Sequence, residues 1–531
     1  MDLKKTPASF ENNNRIHFVF IFILFFVGIF VRSSSISVVP GGLNQDEASI
    51  GYEAFSIMTT GKDRSGNSYP VHFVSWGSGQ NALYAYLSIP FIRIFGLNAF
   101  SIRIVNTIFS CISLIVFYLL FKLILNKKKA ILALAILAIC PWSIMAGRWG
   151  LEANIFPVLF LIAVYFLFKG IYSAPGYYFL SFAIFAICLY AYGTSYLIIP
   201  LFFIAVLPYL LIKKLLSPKQ LFFCLLIFFT IATPILLFIL INHFGLNEIH
   251  WGKITIPKLD SNRTTVVFNL FSGNIAITLL KNALRLIYIL ILQTDNNIYN
   301  ALPSSGTVYH VSLPFFFLGL LGIFKNKSFI HKPFHYISFF WLISSFALGI
   351  FTHVNINRIN IIFFPILYFT VLGILDAGNL IKTKYKKQFY PFIIGIYMLF
   401  FGVFTGNYFL LAQKQIKHNF AFGLEEAVKY AEKNYSQAPV YVSTNTVNMP
   451  YIYICFYTQM NANTFREKVV YGENKSGFRE VLSLERYNFG NELFRNNAIN
   501  IIRENESPNI DIKNSKILKF GNFYLCDLYN K

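Results

Sequence analysis

Two adjacent carboxylates near the start of the chain have a type and a spacing that can do chemistry. Asp46 and Glu47 follow Asn44, which can cap a helix that begins at about Asp46 and ends near Gly61. In the first turn of such a helix the dipole favours the ionised form of both acids. A carboxylate that stays charged can take a proton from an acceptor hydroxyl or amine. The alternative interpretation is that both acids are ordinary stabilisers of a helix N-terminus.

Four further polar residues are candidates for substrate binding. Arg148 and Glu152 share one short turn between two apolar runs, and Arg358 stands at the start of a later run. The planar fork of Arg358 suits a phosphate, although an arginine that reaches out to an interface explains it equally well. Asp295 is a candidate site acid, and its place before two asparagines is also typical of a turn.

Metal and disulfide chemistry receive little support from the spacing of the ligating residues. His243 and His250 flank Glu248, so a divalent metal is conceivable there, but no tight ligand spacing indicates it. The sequence therefore predicts no certain cofactor. Cys455 and Cys526 share the polar C-terminal tail, and their spacing leaves open whether they pair.

The composition predicts that these residues lie at a membrane. Of the 531 residues, 56% are hydrophobic and 13% are charged, with a mean hydropathy of +0.56. Runs such as Ile16–Val31 and Gln220–Ile241 are long enough to cross a hydrocarbon core of roughly 30 Å. The net charge of +22 sits in short clusters between such runs, which is typical of loops facing anionic lipid and argues against nucleic acid as a partner.

The basic clusters also predict the topology, because such loops face the cytoplasm. The clusters are Lys4-Lys5 with Arg15, Lys127–Lys129, Lys213-Lys214 with Lys219, Lys325 with Lys327 and Lys332, and Lys382–Lys387. All of them lie inside if Ala82–Phe95 and Ala276–Leu292 rest on the outer surface as interfacial helices. About eleven spans then remain, the first of them a retained span and not a removed signal peptide.

The tail changes composition at about residue 413 and is expected on the outer side. Residues 423–434 have helical spacing, and short strands are expected at Val440–Val442, Ile499–Ile502, Ser515–Leu518 and Phe523–Cys526. The predicted fold is an all-α polytopic membrane domain over residues 1–412, with a first outer loop at 33–101, followed by a small soluble α/β domain over 413–531. No internal repeat is found, which weighs against inverted-repeat transporters.

The order of these features resembles the membrane glycosyltransferases of the C superfamily over roughly Ile16–Asn242. An apolar span is followed by an Asp-Glu pair opening an interfacial helix, by a second interfacial helix, and by Gly96-Leu97-Asn98-Ala99-Phe100-Ser101-Ile102-Arg103 entering the next span. The resemblance is closest to the branch of protein O-mannosyltransferases and lipid A aminoarabinose transferases. It implies that Asp46, with Glu47 beside it, is the catalytic base, and that Glu152 and Arg148 match a second outer polar group. Where the aminoarabinose transferases carry Lys-Pro, this chain has Gln80-Asn81, so Gln80 joins the candidate substrate-binding residues and the same donor or acceptor is not implied.

The function expected from the resemblance is transfer of a sugar from a polyprenyl-phosphate donor to an acceptor at the outer face of a membrane. The acceptor is a protein, a glycolipid or an envelope polymer, and membrane lipids are the remaining partners. The transfer is expected to invert the anomeric centre, in the plasma membrane of a bacterium. The alternative is a polytopic lipid or glycan transporter or flippase without transferase activity, which would need charged residues inside the spans.

Overall fold

The computed structural model describes residues 7–260, 274–325, 332–475, 478–492, 494–506 and 516–529. Of the residues used in the predictions, Lys4, Lys5, Lys327 and Ser515 lie outside these ranges. The described helices of the apolar part are α1 Pro7–Ser33, α2 Gln45–Thr60, α3 Leu83–Phe95, α4 Ala99–Ile124, α5 Lys127–Ala138, α6 Pro141–Gly147, α7 Glu152–Tyr172, α8 Tyr177–Ala191, α9 Ser195–Ile212, α10 Pro218–Phe244, α11 Ile275–Leu292, α12 Ser312–Lys325, α13 Pro333–Phe351, α14 Ile356–Ile359, α15 Phe363–Leu380 and α16 Thr383–Gly406.

Eight of the described helices are long and apolar enough to cross a membrane, or nine if the bent pair α5 and α6 counts as one span. The bend of 60° falls at Pro141, whose ring cannot continue the preceding helix. Three of the eleven predicted spans are shorter apolar helices, namely His17–Ser33, Tyr177–Ala191 and Ser312–Phe324. By length and composition alone, eight or nine of the described helices qualify as spans, which is fewer than the eleven predicted.

The sequence predicts an interfacial helix at Ala276–Leu292. The helix α11 found there is instead long and apolar enough to qualify as a span. Its packing nevertheless favours a surface position. Asn282 donates a hydrogen bond to the Ile350 carbonyl, and Leu286, one turn later, lies against Gly349. Both contacts fall at the end of α13 that leads into the 353–355 turn, so the middle of α11 packs against that end of the span.

The first loop folds into two helices and a short hairpin. Asn44 caps α2 and Gly61 ends it in the left-handed conformation, as the sequence predicts. The strands β1 (His72–Phe73) and β2 (Gln80–Asn81) pair antiparallel after it, and a second antiparallel pair, β3 (Ile249–Trp251) and β4 (Ile254–Ile256), follows α10. The 13-residue helix α3 follows and is too short for a hydrocarbon core of roughly 30 Å.

The C-terminal region contains a mixed sheet of seven strands. Its helices are α17 Gln413–Asn419, α18 Leu424–Asn434, α19 Pro450–Tyr457 and α20 Ala462–Lys468, and its strands are β5 Val440–Ser443, β6 Val469–Lys475, β7 Phe478–Leu484, β8 Tyr487–Gly490, β9 Ile499–Arg503, β10 Lys516–Phe520 and β11 Phe523–Asp527. The strand order is β10-β11-β9-β5-β8-β7-β6, with β5 parallel to both of its neighbours. The predicted helix and four predicted strands are confirmed within a residue or two, whereas β6, β7 and β8 were not predicted. Cys455 and Cys526 are buried free thiols.

The C-terminal region packs on the first loop through α19 and α20. Gly51 of α2 lies so close to the Phe456 ring that a β-carbon there would overlap it. Tyr52 meets Phe465 edge to face, and Arg466 donates to the Asp63 carbonyl at 2.9 Å. The first loop is thus held between the helix bundle and the C-terminal sheet.

Candidate functional site

The N-terminus of α2 presents Asp46 at the end of the bundle that the loop charges predict to be outer. The Asn44 side chain accepts a hydrogen bond from the Asp46 backbone N–H at 2.9 Å, which fixes the first turn. The side chain of Asp46 is half-buried, and its charge acts on Glu152, Tyr192 and Tyr299. Asp46 therefore lies at the meeting point of the first loop and three other chain segments.

Glu47 has different surroundings from its neighbour, and the structure corrects its pairing with Asp46 as a second reactive acid. Its carboxylate accepts from Arg103 at 2.8 Å and 3.0 Å, and both side chains are 0% exposed. It also accepts from the backbone N–H groups of Asn44 and Gly150, at 2.9 Å and 2.8 Å. Because every acceptor direction is taken, Glu47 is suited to hold elements together and not to take a proton.

The turn that carries Glu152 is fixed by side chains from two other segments. Asn106 of α4 donates to the carbonyls of Trp149 and Leu151, the latter at 2.9 Å. Asn360 donates to the Ala153 carbonyl at 2.8 Å. Glu152 then opens α7 with its side chain 8% exposed. The position of this carboxylate is therefore set by the turn around it.

Gln80 links Glu152 to a buried polar relay, which we define as Arg64, Ser49, Ser75 and Gln80. Arg64 donates to the Ser49 and Ser75 hydroxyls at 3.1 Å and 2.9 Å, and both hydroxyls donate to the Gln80 amide oxygen at 2.9 Å and 3.2 Å. With its oxygen occupied in this way, the Gln80 amide directs its N–H₂ group at the Glu152 carboxylate.

Arg64 itself is fixed by a buried acid and an indole ring. Its Nε lies 3.2 Å from the Glu53 carboxylate, and its guanidinium lies 4.6 Å from the centre of the Trp76 ring. Burial raises the pKa of Glu53, and the positive charge of Arg64 opposes that shift. The relay is thereby tied to the interior of the first loop.

Glu152 keeps unused hydrogen-bonding capacity. The Gln80 side chain and the Asn81 backbone N–H lie against its carboxylate. Its Oε2 atom is buried and has no hydrogen-bond partner in the described part of the chain. A buried acceptor without a partner is rare and costs about 1–3 kcal/mol, so a ligand group is its natural partner.

Arg358 lies beside Tyr192, at the edge of the group that Asp46 and Glu152 form. Its side chain donates to the Tyr192 hydroxyl and to the His353 carbonyl, the latter at 3.0 Å. The charges of Glu152 and Asp46 also act on Tyr192. Burial raises the pKa of Tyr192 to about 12, so its hydroxyl stays protonated at neutral pH and can donate to an anion.

Asp295 is a structural residue in this arrangement. Its carboxylate accepts from the backbone N–H groups of Asn297 and Ile356 at 3.0 Å each, and from the Asn300 amide at 2.7 Å. The turn interpretation of Asp295 is the one that the structure supports. It joins the loop before α12 to α14 and so positions the segment that carries Arg358.

Arg148 does not reach the site, which corrects its placement beside Glu152. It donates to the carbonyls of Val31 and Val39 at 2.9 Å each, and its guanidinium lies 4.7 Å from the centre of the Phe409 ring. These contacts tie α6 to the end of α1. The guanidinium is thus used for packing within the bundle.

No group of three histidine, cysteine or acidic side chains with metal-binding geometry occurs among the described residues. His250 lies 3.2 Å from Glu248 and both are exposed.

The site consists of Asp46, Glu152, Gln80, Arg358 and Tyr192.

Sequence reasoning missed Arg103, Arg64 and Tyr192 as parts of this arrangement. Arg103 lies at the start of a span, where a charged residue is costly and is usually paired, so its position was a usable signal. Arg64 and Tyr192 carry no such signal, since one lies in a polar loop and the other resembles any interfacial tyrosine.

Comparison with known proteins finds one matching family and several similar folds. Residues 81–238 match the family described as dolichyl-phosphate-mannose-protein mannosyltransferase. No curated protein matches the chain in sequence.

Two solved structures are similar to the whole architecture. The crystal structure of ArnT from Cupriavidus metallidurans bound to undecaprenyl phosphate has a TM-score of 0.52 and 11% sequence identity, covering 97% of this chain and 98% of that one. The apo oligosaccharyltransferase of Archaeoglobus fulgidus has a TM-score of 0.51 and 12% identity, covering 83% of this chain and 63% of that one. The resemblance predicted from the sequence is confirmed, and this chain has the fold of the membrane glycosyltransferases of the C superfamily.

Proposed function

We propose that the chain transfers a sugar from a polyprenyl-phosphate donor to an acceptor at the outer face of a membrane. The observation that carries this proposal is that Asp46, Glu152 and Arg358 all lie close enough to the Tyr192 hydroxyl for their charges to act on its pKa. These groups suit both parts of the reaction, because a carboxylate can take the acceptor proton and the guanidinium can bind the leaving phosphate. One of the similar structures, ArnT from Cupriavidus metallidurans, holds undecaprenyl phosphate, which supports a lipid-linked donor.

Asp46 is the proposed general base. It takes the proton of the acceptor hydroxyl or amine while the acceptor atom attacks the anomeric carbon from the face opposite the phosphate. The new bond to the anomeric carbon forms as the bond from that carbon to the phosphate oxygen breaks, so the configuration inverts. The lipid phosphate leaves with the bonding electron pair.

Arg358 is the proposed partner of that leaving phosphate. A guanidinium stabilises the charge that develops on the phosphate oxygens, and it does so best where water is excluded. The Tyr192 hydroxyl, which accepts from Arg358, can donate its own proton to the same group. Arg148 has no part in this step, because its two terminal nitrogens donate to the Val31 and Val39 carbonyls.

Glu152 is the proposed anchor for a sugar or acceptor hydroxyl. Gln80 and Asn81 hold one side of its carboxylate, and the unpartnered Oε2 atom can accept a substrate O–H. Gln80 acts through Glu152, because its amide oxygen already accepts from Ser49 and Ser75. Glu47 keeps the base in place through Arg103 and Gly150.

The proposal is tested by incubating membranes that contain the full chain with a panel of radiolabelled polyprenyl-phosphate sugars. We expect one donor to be consumed and its label to appear on an acceptor. The Asp46→Asn variant should lower turnover by about 10²–10⁴-fold at an unchanged level in the membrane. Asp527→Asn in the last strand is the matched control and should retain full activity.

Normal turnover by Asp46→Asn would remove that residue as the base. If no lipid-linked sugar in the panel were consumed by the unmodified chain, the transferase proposal would fail. Movement of a labelled lipid between leaflets without loss of its sugar would instead identify a transporter.

A further inference from the structure

A second polar cavity lies outside the proposed site, between α11 and the turn at 353–355. Its volume is about 560 Å³, which is within the usual range of roughly 300–1,000 Å³ for ligand pockets. Lys281 and Arg285 of α11 and His353 of the turn line it, together with Thr278, Asn282 and Asp295. We define this set as the basic cavity. No step of the proposed transfer uses it.

The charges of the basic cavity are available to a ligand. Among the described residues neither Lys281 nor Arg285 forms an ion pair, and Arg285 donates instead to the backbone carbonyl of Asp295 at 3.0 Å. The Asp295 carboxylate already accepts three hydrogen bonds from neighbouring donors. Two cations facing a cavity with one fully occupied acid fit an anion, and a guanidinium fits the oxygens of a phosphate best.

The opposite face of α11 identifies the kind of molecule that carries the anion. That face leaves five large apolar side chains exposed at helical spacing: Ile277, Leu280, Leu284, Ile287 and Ile291. In a chain that crosses the membrane, acyl chains are the natural cover for such a stripe, and the polar face of the helix then lies at headgroup level. The contacts of α11 with the last residues of α13 agree with this position.

The basic cavity also adjoins the proposed site. The His353 carbonyl accepts from the Arg358 guanidinium at 3.0 Å. The turn that lines the cavity therefore also contacts Arg358, the residue proposed to bind the donor phosphate. Burial raises the pKa of Tyr299, and the charges of Asp295 and Asp46 add to this shift, so Tyr299 is within electrostatic reach of both regions.

We propose that the basic cavity binds the phosphate-bearing headgroup of a membrane lipid and that this lipid is the sugar acceptor, an assignment that rests on the proposed transferase function. The acyl chains lie along the apolar face of α11, and Lys281 and Arg285 hold the phosphate. The hydroxyl or amine to be modified then reaches across the 353–355 turn toward Asp46.

Binding is tested with fluorescent phosphatidic acid and the detergent-solubilised full chain, with phosphatidylcholine as the lipid comparison. We expect Lys281→Gln and Arg285→Gln each to weaken phosphatidic acid binding by at least about tenfold, which is the effect of losing one charged hydrogen bond. Lys429→Gln, an exposed lysine on α18, should bind like the unmodified chain. Lys281 is also exposed, so its substitution keeps the fold intact even if Arg285→Gln disturbs the Asp295 loop.

Unchanged binding in Lys281→Gln and Arg285→Gln would overturn the cavity assignment. Inorganic phosphate that displaced the lipid at equal concentration would show a site for free phosphate and overturn the lipid assignment. For the acceptor assignment, label from the consumed donor should be recovered in a phosphate-bearing lipid, and its recovery in protein would contradict it. Asp46→Asn should still bind phosphatidic acid, so loss of transfer and loss of lipid binding are read separately.

Discussion

At the start of α2, neighbouring acids face different surroundings. The side chain of Asp46 is half-buried and shares its environment with Glu152 and Tyr192, whereas Glu47 is enclosed by Arg103 and two backbone N–H groups. The difference arises because successive helical side chains point about 100° apart, so only one of the two can face the cleft. The residue scale therefore separates a reacting acid from a supporting one.

Glu47→Gln is expected to lower the stability of the chain. Removal of one partner from a buried ion pair leaves the other charge uncompensated and costs about 3–5 kcal/mol. The melting temperature in detergent should fall clearly, while Asp46→Asn should melt like the unmodified chain. Equal melting temperatures for Glu47→Gln and the unmodified chain would contradict the structural role of Glu47.

Arg358→Ala is expected to raise the KM for the lipid-linked donor. A hydrogen bond to a charged group is worth about 1.5–3 kcal/mol, so the change should be at least about tenfold. Arg358→Lys should recover part of the loss, because the charge stays but the planar fork is gone. Steady-state kinetics at varied donor concentration measure the KM of both variants. An unchanged KM would show that Arg358 does not bind the donor phosphate.

The polar relay predicts a positioning effect at some distance from the substrate. Ser49→Ala combined with Ser75→Ala frees the Gln80 amide to rotate, so its N–H₂ no longer faces Glu152. We expect a lower kcat and a shifted pH profile of transfer, with little change in the KM for the donor. A loss of stability without a change in the pH profile would show that the two serines have only a packing role.

At the scale of elements, the first loop positions the site because it is fixed on several sides. Asn44 and Gly61 set the limits of α2, and the β1–β2 hairpin places Gln80. His72 in β1 stacks on the ring of Phe238 at 4.1 Å and therefore joins the hairpin to α10. Each of these contacts orders backbone that would otherwise be a flexible loop.

His72 gives this loop a predicted dependence on pH. Burial lowers the pKa of His72 to about 4, well below the ordinary value of 6.5. The folded state then binds fewer protons than the unfolded state between these values, so stability is full above pH 6.5 and falls toward pH 4. The loss is at most about 3 kcal/mol.

The melting temperature measured from pH 8 to pH 4 tests this dependence. His72→Phe keeps the stacked ring without a titrating group, so it should flatten the acid part of the curve. His250→Gln, at an exposed position, should leave the curve unchanged. An identical acid transition in His72→Phe would assign the effect to other groups.

At the scale of the whole molecule, the C-terminal region closes over the first loop. The approach of α19 to α2 requires the absence of a side chain at Gly51, whose β-carbon would meet Phe456. The charges of Arg503 and Asp46 both act on the hydroxyl of Tyr453 in the same helix, so the C-terminal region also borders the site. The site thus depends on contacts between distant parts of the chain.

Gly51→Ala is expected to loosen this contact, although alanine is the better helix former by about 1 kcal/mol. Overpacking of this kind typically costs about 1–3 kcal/mol. Limited proteolysis should cut the connection at 407–423 faster than in the unmodified chain. Gly395→Ala, where nothing lies within 4 Å of the added carbon, is the control, and equal resistance of both variants would contradict the tight packing.

Several features of the fold could be predicted from the sequence because they depend on neighbouring residues. The cap and end of α2, the apolar helices and four tail strands follow from local preference and hydrophobic pattern. The strands β6, β7 and β8 could not be predicted in the same way, since Phe478–Leu484 mixes charged and apolar residues and is stabilised by its sheet neighbours.

Membrane character, the first-loop helix and the candidate residues Asp46, Glu152 and Arg358 were readable from the linear chain, because composition, capping and charge spacing act over a few residues. The roles of Glu47, Arg148 and Gln80 came from long-range packing. Glu47 pairs with Arg103, which is 56 residues away in the sequence, and Arg148 donates to the Val31 carbonyl, which is 117 residues away. Buried polar groups must find partners, and the partner is whichever group the folded chain brings near, which no local pattern specifies.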